Sequence, residues 1–210
     1  MIDRLRNTYS KFFALSYEKQ VVIINAAIQE FVRGGFDKAS VNTIVENANI
    51  SKGSLFFYFE SKKNLYLFLF EYCEYLIIEN ARKSIHFIEG DFIARMQLTM
   101  HQNLTLLETH PSIFAFVKSC KGETDATIKP YVSEIVKASD EKILSHVYHN
   151  IDRSLFRDKA EIELAITTIK ATLFHVTHTC LADQTMTLKD AKSEIDRFIV
   201  FFRTHFYKVE

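Results

Sequence analysis

The residues best suited to holding something charged are Ser51, Lys52, Gly53 and Ser54. Ser51 is a helix-capping residue type, so the next three fall in a first helical turn. There, main-chain N–H groups lack intrahelical partners and the positive end of the helix dipole attracts phosphate. Lys52 adds a full charge, and Gly53 leaves the surface open to close approach. Phe56, Phe57 and Tyr58 continue the same helix with flat apolar surfaces that suit thymine methyls or sugar edges. Upstream, Ser40 can cap a helix whose Val41, Ile44, Val45 and Ala48 follow the spacing of one buried face, and Asn49 to Ser51 supply turn chemistry. Leu55 and Phe59, four apart, point together into a shared core and leave the opposite face of the second helix free. A short helix, a turn and an exposed second helix form a helix-turn-helix, whose second helix enters the major groove of DNA. The same pattern also fits a helical hairpin whose aromatics are simply core.

Catalytic and metal chemistry find little to build on. All eight histidines lie beyond residue 85. His146 with His149 and His175 with His178 could each present two imidazoles on one helical face, but zinc needs a third and usually a fourth ligand, and none follows from spacing. His86, His101, His110 and His205 stand without a partner at diagnostic spacing. There is no Gly-rich phosphate loop, nucleophile elbow, His-Glu-x-x-His or CxxC. The chain is therefore expected to be no enzyme and to hold no metal or cofactor. Cys73, Cys120 and Cys180 are an odd number without paired spacing, which fits reduced, buried thiols better than a redox sensor.

Composition sets the frame around these residues. The 210 residues are 48% apolar, enough for a sizeable core, and five Gly with two Pro leave few breaks, which favours long helices over a turn-rich β chain. No apolar run is long enough to span a bilayer and the first fifteen residues lack a signal-peptide core, so a soluble cytoplasmic protein without membrane partners is expected. The net charge of zero hides an asymmetry: residues 1 to 70 carry nine Lys or Arg against six Asp or Glu, and the remainder 17 against 20. Such a small excess predicts weak non-specific DNA binding, with affinity resting on a few placed contacts.

The elements that must position the motif are helical. Ile2, Leu5, Tyr9, Phe12 and Phe13 form a stripe beside Arg4, Arg6 and Lys11, predicting a short helix that packs on the domain or reaches for phosphate. A helix from Tyr17 to about Val32, stopped by Gly34-Gly35, backs the motif and closes a core of Ile23, Ala27, Phe31, Phe36, Val41, Ile44, Val45, Leu55 and Phe59. Ser61 opens the next helix, which runs through Leu76 and as far as Phe87. Lys62 and Lys63 sit at its positive dipole end, where they suit a nearby phosphate or a solvated pair. Five more helices are expected over Asp91–Thr109, Ser112–Cys120, Lys129–Asn150, Lys159–Ala182 and Leu188–Tyr207.

Taken together, Gly34-Gly35-Phe36, Ala39-Ser40-Val41, Ile44-Val45, Ala48, the run from Ile50 to Phe59, and Ser61-Lys62-Lys63-Asn64-Leu65 closely resemble the DNA-binding domain of TetR-family transcriptional repressors, over about Lys19 to Leu69. The resemblance implies an all-α homodimer that binds operator DNA and releases it when a small molecule enters the C-terminal domain. It places a three-helix helix-turn-helix domain over residues 1–60 and a helical ligand-binding and dimerisation domain over 61–210. Carried over by position, Ser51, Lys52, Gly53, Ser54 and Phe56 look like base or groove contacts, and Ser40, Phe57, Tyr58 and Lys62 like backbone contacts. Many members have Tyr at Phe56 and Phe57; without hydroxyls these rings cannot hydrogen-bond phosphate.

The last two helices carry more apolar surface than one inward face requires. Ile162, Ile166, Ile169, Leu173 and Val176 on the first, and Leu188, Ile195, Phe198, Ile199 and Phe202 on the second, are expected at a two-fold interface, the alternative being an intramolecular core. Met96, Met100, Phe114, Phe116, Tyr131 and Phe174, with His101 or His175 as polar handles, are the candidates for lining an apolar or amphipathic ligand pocket. The competing functional reading is a helical module for a lipid-like ligand or a partner protein, with no DNA binding.

Overall fold

The computed structural model describes residues 2–85, 88–182 and 185–208, and within them the side chains of 83–85, 140, 143–147, 178 and 180–182 are left aside. The protein is all-α. The helices are α1 (Ile2–Thr8), α2 (Ser10–Phe13), α3 (Tyr17–Lys38), α4 (Val41–Asn47), α5 (Lys52–Phe59), α6 (Lys62–Ile85), α7 (Phe92–Thr109), α8 (Ile113–Lys121), α9 (Lys129–Val147), α10 (Ile162–Ala182) and α11 (Leu188–Phe206). Among the described residues the only β pairing is one isolated bridge between Phe156 and Tyr207. Each expected helix is present. α9 stops three residues early, where Asn150 takes a left-handed φ of 50°. The expected extension of α6 to Phe87, and His86, lie outside the described residues.

Two compact units divide the chain: one holds the residues up to Ile77 together with Leu107–Glu141, the other Ile78–Leu106 with Lys142–Glu210. In the first unit, α3 packs on α4 and α8, and α2 packs on α5. Its core contains Ile23, Ala27, Phe31, Ile44, Leu55 and Phe59, while Phe36, Val41 and Val45 from the expected core are only half-buried. Gly35 has φ 63° and ψ −173°, a conformation that side-chain-bearing residues avoid, and it ends the straight run of α3 as the Gly pair predicted.

The N-terminal stripe packs. Phe12 is fully buried with its ring 5.0 Å from Phe59 and 5.2 Å from Phe68, and Tyr9 lies 4.7 Å from Phe68. Arg4 pairs with the carboxylate of Glu71 on α6. Cys73 and Cys120 are buried and free; burial pushes the Cys120 thiol up to about 12 and raises Cys73 as well, so neither offers a thiolate. The side chain of Cys180 lies outside the description.

In the second unit α10 packs on α11. Here the expected interface residues need correcting. Ile162, Ile166, Ile169, Leu173, Val176, Ile195, Ile199 and Phe202 are already buried within a single chain, and Leu188 and Phe198 are half-buried. Their stripes face each other and the rest of the unit, because two amphipathic helices joined by a short connection bury their strongest faces first. The apolar surface left open on the same helices is instead Leu164, Phe174, Val200 and Phe201, between 43% and 64% exposed. The chain end is fixed by Tyr207: its hydroxyl donates to Asp91 Oδ1 at 3.1 Å and accepts the Ile93 N–H at 3.1 Å, and Arg203 donates to Asp91 Oδ2 at 2.7 Å.

Candidate nucleic-acid interface

The motif is built from local hydrogen bonds that its sequence specifies. Ser40, extended at φ −96° and ψ 116°, caps α4 by accepting the Thr43 N–H at 3.3 Å. The turn follows: Asn49 adopts φ 50°, tolerable for Asn, and the Ile50 N–H returns to the Val45 carbonyl at 3.0 Å. Ser51 then caps α5, its Oγ accepting the Ser54 N–H at 3.0 Å and lying 2.8 Å from Ser54 Oγ. Each cap contributes about 1 kcal/mol. Leu55 and Phe59 are buried, so their opposite face points out.

That face carries the expected residues. Ser51, Lys52 and Gly53 are exposed, Ser54, Phe56 and Tyr58 are half-buried, and Phe57 is 59% exposed. Tyr58 is held inward by its ring contacts with Phe12 at 6.4 Å and Phe57 at 5.8 Å. Gly53 is informative because the fold does not need it. A Cβ there would meet only Ser51 Oγ, at an ordinary 3.7 Å, and the backbone takes no left-handed φ. Glycine inside a helix costs roughly 1 kcal/mol relative to alanine, and neither packing nor backbone conformation accounts for it here.

Two residues behave differently from, or outside, the sequence reading. Lys62 was expected against the DNA backbone. Its ammonium instead donates to the main-chain carbonyls of Asp37 at 2.9 Å and Ala39 at 3.2 Å and lies 5.0 Å from the Phe36 ring centre, which ties the start of α6 to the α3–α4 junction. Glu30, 4% exposed, accepts the Ser40 N–H at 2.8 Å and pairs with Arg33 at 2.6 Å, so it positions the start of α4. The sequence held a signal for it: Glu30 follows Ile23, Ala26 and Ala27 at helical spacing, and a carboxylate on a buried face needs a donor.

The candidate pocket residues fall in different places. Phe116 is core in the first unit, 5.5 Å from Tyr66 and 6.1 Å from Phe31. Phe114 is half-buried there, and Tyr131 is half-exposed beneath the Lys63 ammonium, 4.3 Å from its ring centre. Met96 and Met100 are buried in the second unit, with the Thr177 hydroxyl 3.3 Å from Met100 Sδ, while Phe174 and His175 are exposed. His101 Nε2 lies 3.0 Å from Asp196 Oδ1 but out of line for a hydrogen bond, and Gln97 donates to that oxygen at 2.7 Å. Asn103 Oδ1, buried in the same unit, has no hydrogen-bond donor among the described residues, which sequence spacing did not single out. Among the described residues no three His, Cys, Asp or Glu gather as a metal site; the side chains of His146 and His178 are not described.

Residues 23–68 match the family model of bacterial regulatory proteins, tetR family. This likeness is confined to the first unit. The matched segment contains the whole helix-turn-helix, from the buried face of α3 to the first turns of α6. The HTH-type negative transcriptional regulator of the biofilm operon icaADBC, IcaR of Staphylococcus aureus, is 35% identical over 72 residues, 32% of this chain and 39% of IcaR. The HTH-type transcriptional regulator YvdT of Bacillus subtilis is 26% identical over 136 residues, 62% of this chain and 68% of YvdT. Likeness of fold extends along the chain. A TetR-family regulator from Marinobacter aquaeolei VT8 superposes with a TM-score of 0.65 at 19% identity, covering 91% of this chain and 96% of that one. FadR of Bacillus subtilis, solved in complex with stearoyl-CoA, does so with a TM-score of 0.61 at 19% identity, covering 90% and 98%. These likenesses support a DNA-binding transcriptional regulator.

Proposed function

We propose that this regulator acts in the cytoplasm as a homodimeric repressor that binds a near-palindromic operator and leaves it when a small apolar or amphipathic effector binds. The observation that carries the reading is the outward first turn of α5, where exposed Lys52 and a glycine unnecessary to the fold flank unpaired helix N-terminal geometry. Ser51, Lys52, Gly53, Ser54 and Phe56 enter the major groove; Ser40, Phe57 and Tyr58 lie along its wall. Lys62 serves by fixing α6 to the α3–α4 junction. The open residues Leu164, Phe174, Val200 and Phe201 pair with their symmetry mates.

The effector is received by the C-terminal helices, with Met96 and Met100 as deformable apolar lining and His101 as a polar handle. Phe174 and His175 are the further candidates in the same unit. A long acyl group is the favoured chemistry, since FadR, which shares the fold, binds stearoyl-CoA. Binding moves α6, which begins at Lys62 directly after the reading helix, and thereby changes the spacing of the two heads. Reversing a 99:1 occupancy requires a roughly 10⁴-fold preference for the released state, about 5.5 kcal/mol.

Selection from random duplexes tests the reading. Half-sites with centres about 34–36 Å apart, or a multiple of this, are expected, with binding weakened by Lys52→Ala at unchanged helicity. Recovery of no duplex would sink it. Acyl-CoA thioesters titrated into the selected complex should release the DNA.

A further inference from the structure

We infer that Lys11, outside the helix-turn-helix, is part of the DNA-reading surface: stacked over the exposed Phe57 ring, its ammonium forms a binding position for a backbone phosphate of duplex DNA. The inference rests on the DNA-binding reading above and adds a contact from the N-terminal helices to it. The Lys11 Nζ lies 4.1 Å from the centre of the Phe57 ring. Phe57 stands four residues after Gly53 and three before Glu60, on the exposed stripe of α5. Its ring can touch sugar but has no donor for a phosphate oxygen. The cation laid on it supplies three.

The placement is fixed from below. Lys11 precedes Phe12, which is fully buried between Phe59 and Phe68, and follows Tyr9 by two residues, whose ring is seated on the same pair. Leu5 is buried and Arg4 is paired with Glu71, so both short N-terminal helices are anchored to α5 and α6. Lys11 is itself exposed, and among the described residues no carboxylate pairs with it. Attraction to an exposed ring is weak and uses the ring face alone, leaving N–H groups directed outward. In a segment with only nine basic residues against six acidic ones, one such cation is a substantial share of the attraction available for DNA.

The test uses the full chain and the duplex recovered by selection, measuring affinity against salt for wild type, Lys11→Met, Lys11→Arg and Lys52→Ala. Lys11→Met should weaken binding roughly fivefold at 0.15 M salt and lower the slope of log K against log salt by about 0.9, with sequence preference unchanged. Lys11→Arg should restore both. Lys52→Ala weakening binding while Lys11→Met changes neither affinity nor slope would overturn the Lys11 assignment and leave the reading standing. A loss of affinity in Lys11→Met at unchanged slope would also overturn it, because the residue would then act through the fold. Failure of the wild type to select any duplex would overturn both.

Discussion

The ammonium of Lys62 donates to the carbonyls of Asp37 and Ala39, so a lysine in the first turn of α6 closes the loop between α3 and α4. Charge-assisted bonds of this kind are worth about 1.5–3 kcal/mol when buried and less near solvent. Lys62→Met keeps most of the stem and removes the ammonium. It should lower unfolding free energy in urea by about 1–2 kcal/mol. Measured well below the melting temperature, the salt slope of DNA binding should stay close to wild type, whereas Lys52→Ala should reduce it by about 0.9. A full-sized slope change in Lys62→Met with no loss of stability would return Lys62 to the DNA backbone.

Gly53 separates folding from recognition. The site has room for a methyl group and no left-handed backbone, so Gly53→Ala should stabilise the protein by roughly 0.5–1 kcal/mol through helix propensity. On the proposed reading the same methyl stands where DNA approaches, and operator affinity should fall by an order of magnitude or more. Thermal melts and a binding titration on one preparation check both signs. Unchanged affinity would mean that the first turn of α5 does not meet the duplex closely.

Local chemistry made the motif legible: capping serines, the Asn49 turn and the i, i+3, i+4 spacing act within a few residues, and each appears where the spacing placed it. What depends on distant partners was less accessible. Glu30 meets Ser40 ten residues away and Lys62 meets Asp37 twenty-five away, and neither pairing has a periodic signature. Lys11 was recognisable as a cation beside an apolar stripe, but its place over the Phe57 ring depends on the packing of α2 on α5 and has no local signature. The α10 and α11 stripes show a different limit. Periodicity finds the most apolar face of a helix, and a chain buries that face in itself, leaving Val200 and Phe201 as the second-best surface.

That leftover surface makes the assembly testable. Val200 is 64% and Phe201 49% exposed on α11, and Leu164 is 63% exposed on α10. If these residues meet across a two-fold axis, Val200→Glu places two carboxylates in an apolar contact. Dimer dissociation should strengthen by two orders of magnitude or more, about 3 kcal/mol, with little change in helicity. Sedimentation over a concentration series measures it, and palindromic DNA binding should weaken in step. By contrast Ile169→Ala, which deletes a fully buried side chain, should destabilise each protomer by about 2–5 kcal/mol. A Val200→Glu protein that remains dimeric would put the interface elsewhere.

His110 gives the fold a pH signature with a defined sign. It is buried in the turn before α8, its Nδ1 2.9 Å from Asn25 Oδ1, while Asn25 donates to the Thr109 carbonyl at 2.8 Å. Burial lowers its pKa from the ordinary 6.5, because an imidazolium there would lose solvation with no carboxylate in compensation. The unfolded chain therefore binds a proton first as pH falls. Stability is fully present above about 6.5, declines as pH drops from there towards the lower native pKa, and levels off once both states are protonated. Asp125, Asp152 and Asp190, whose carboxyls are held below 3.8 by hydrogen bonds from Thr127, Ser154 and Thr187, titrate at more acidic pH and leave this window clear. His110→Gln keeps an amide that can donate to Asn25 but does not titrate. Melting temperatures measured from pH 7.5 to 5 should fall less steeply in His110→Gln than in wild type, the two curves diverging below about pH 6.5. Parallel curves would mean that His110 is protonated in the folded protein as readily as in the unfolded chain.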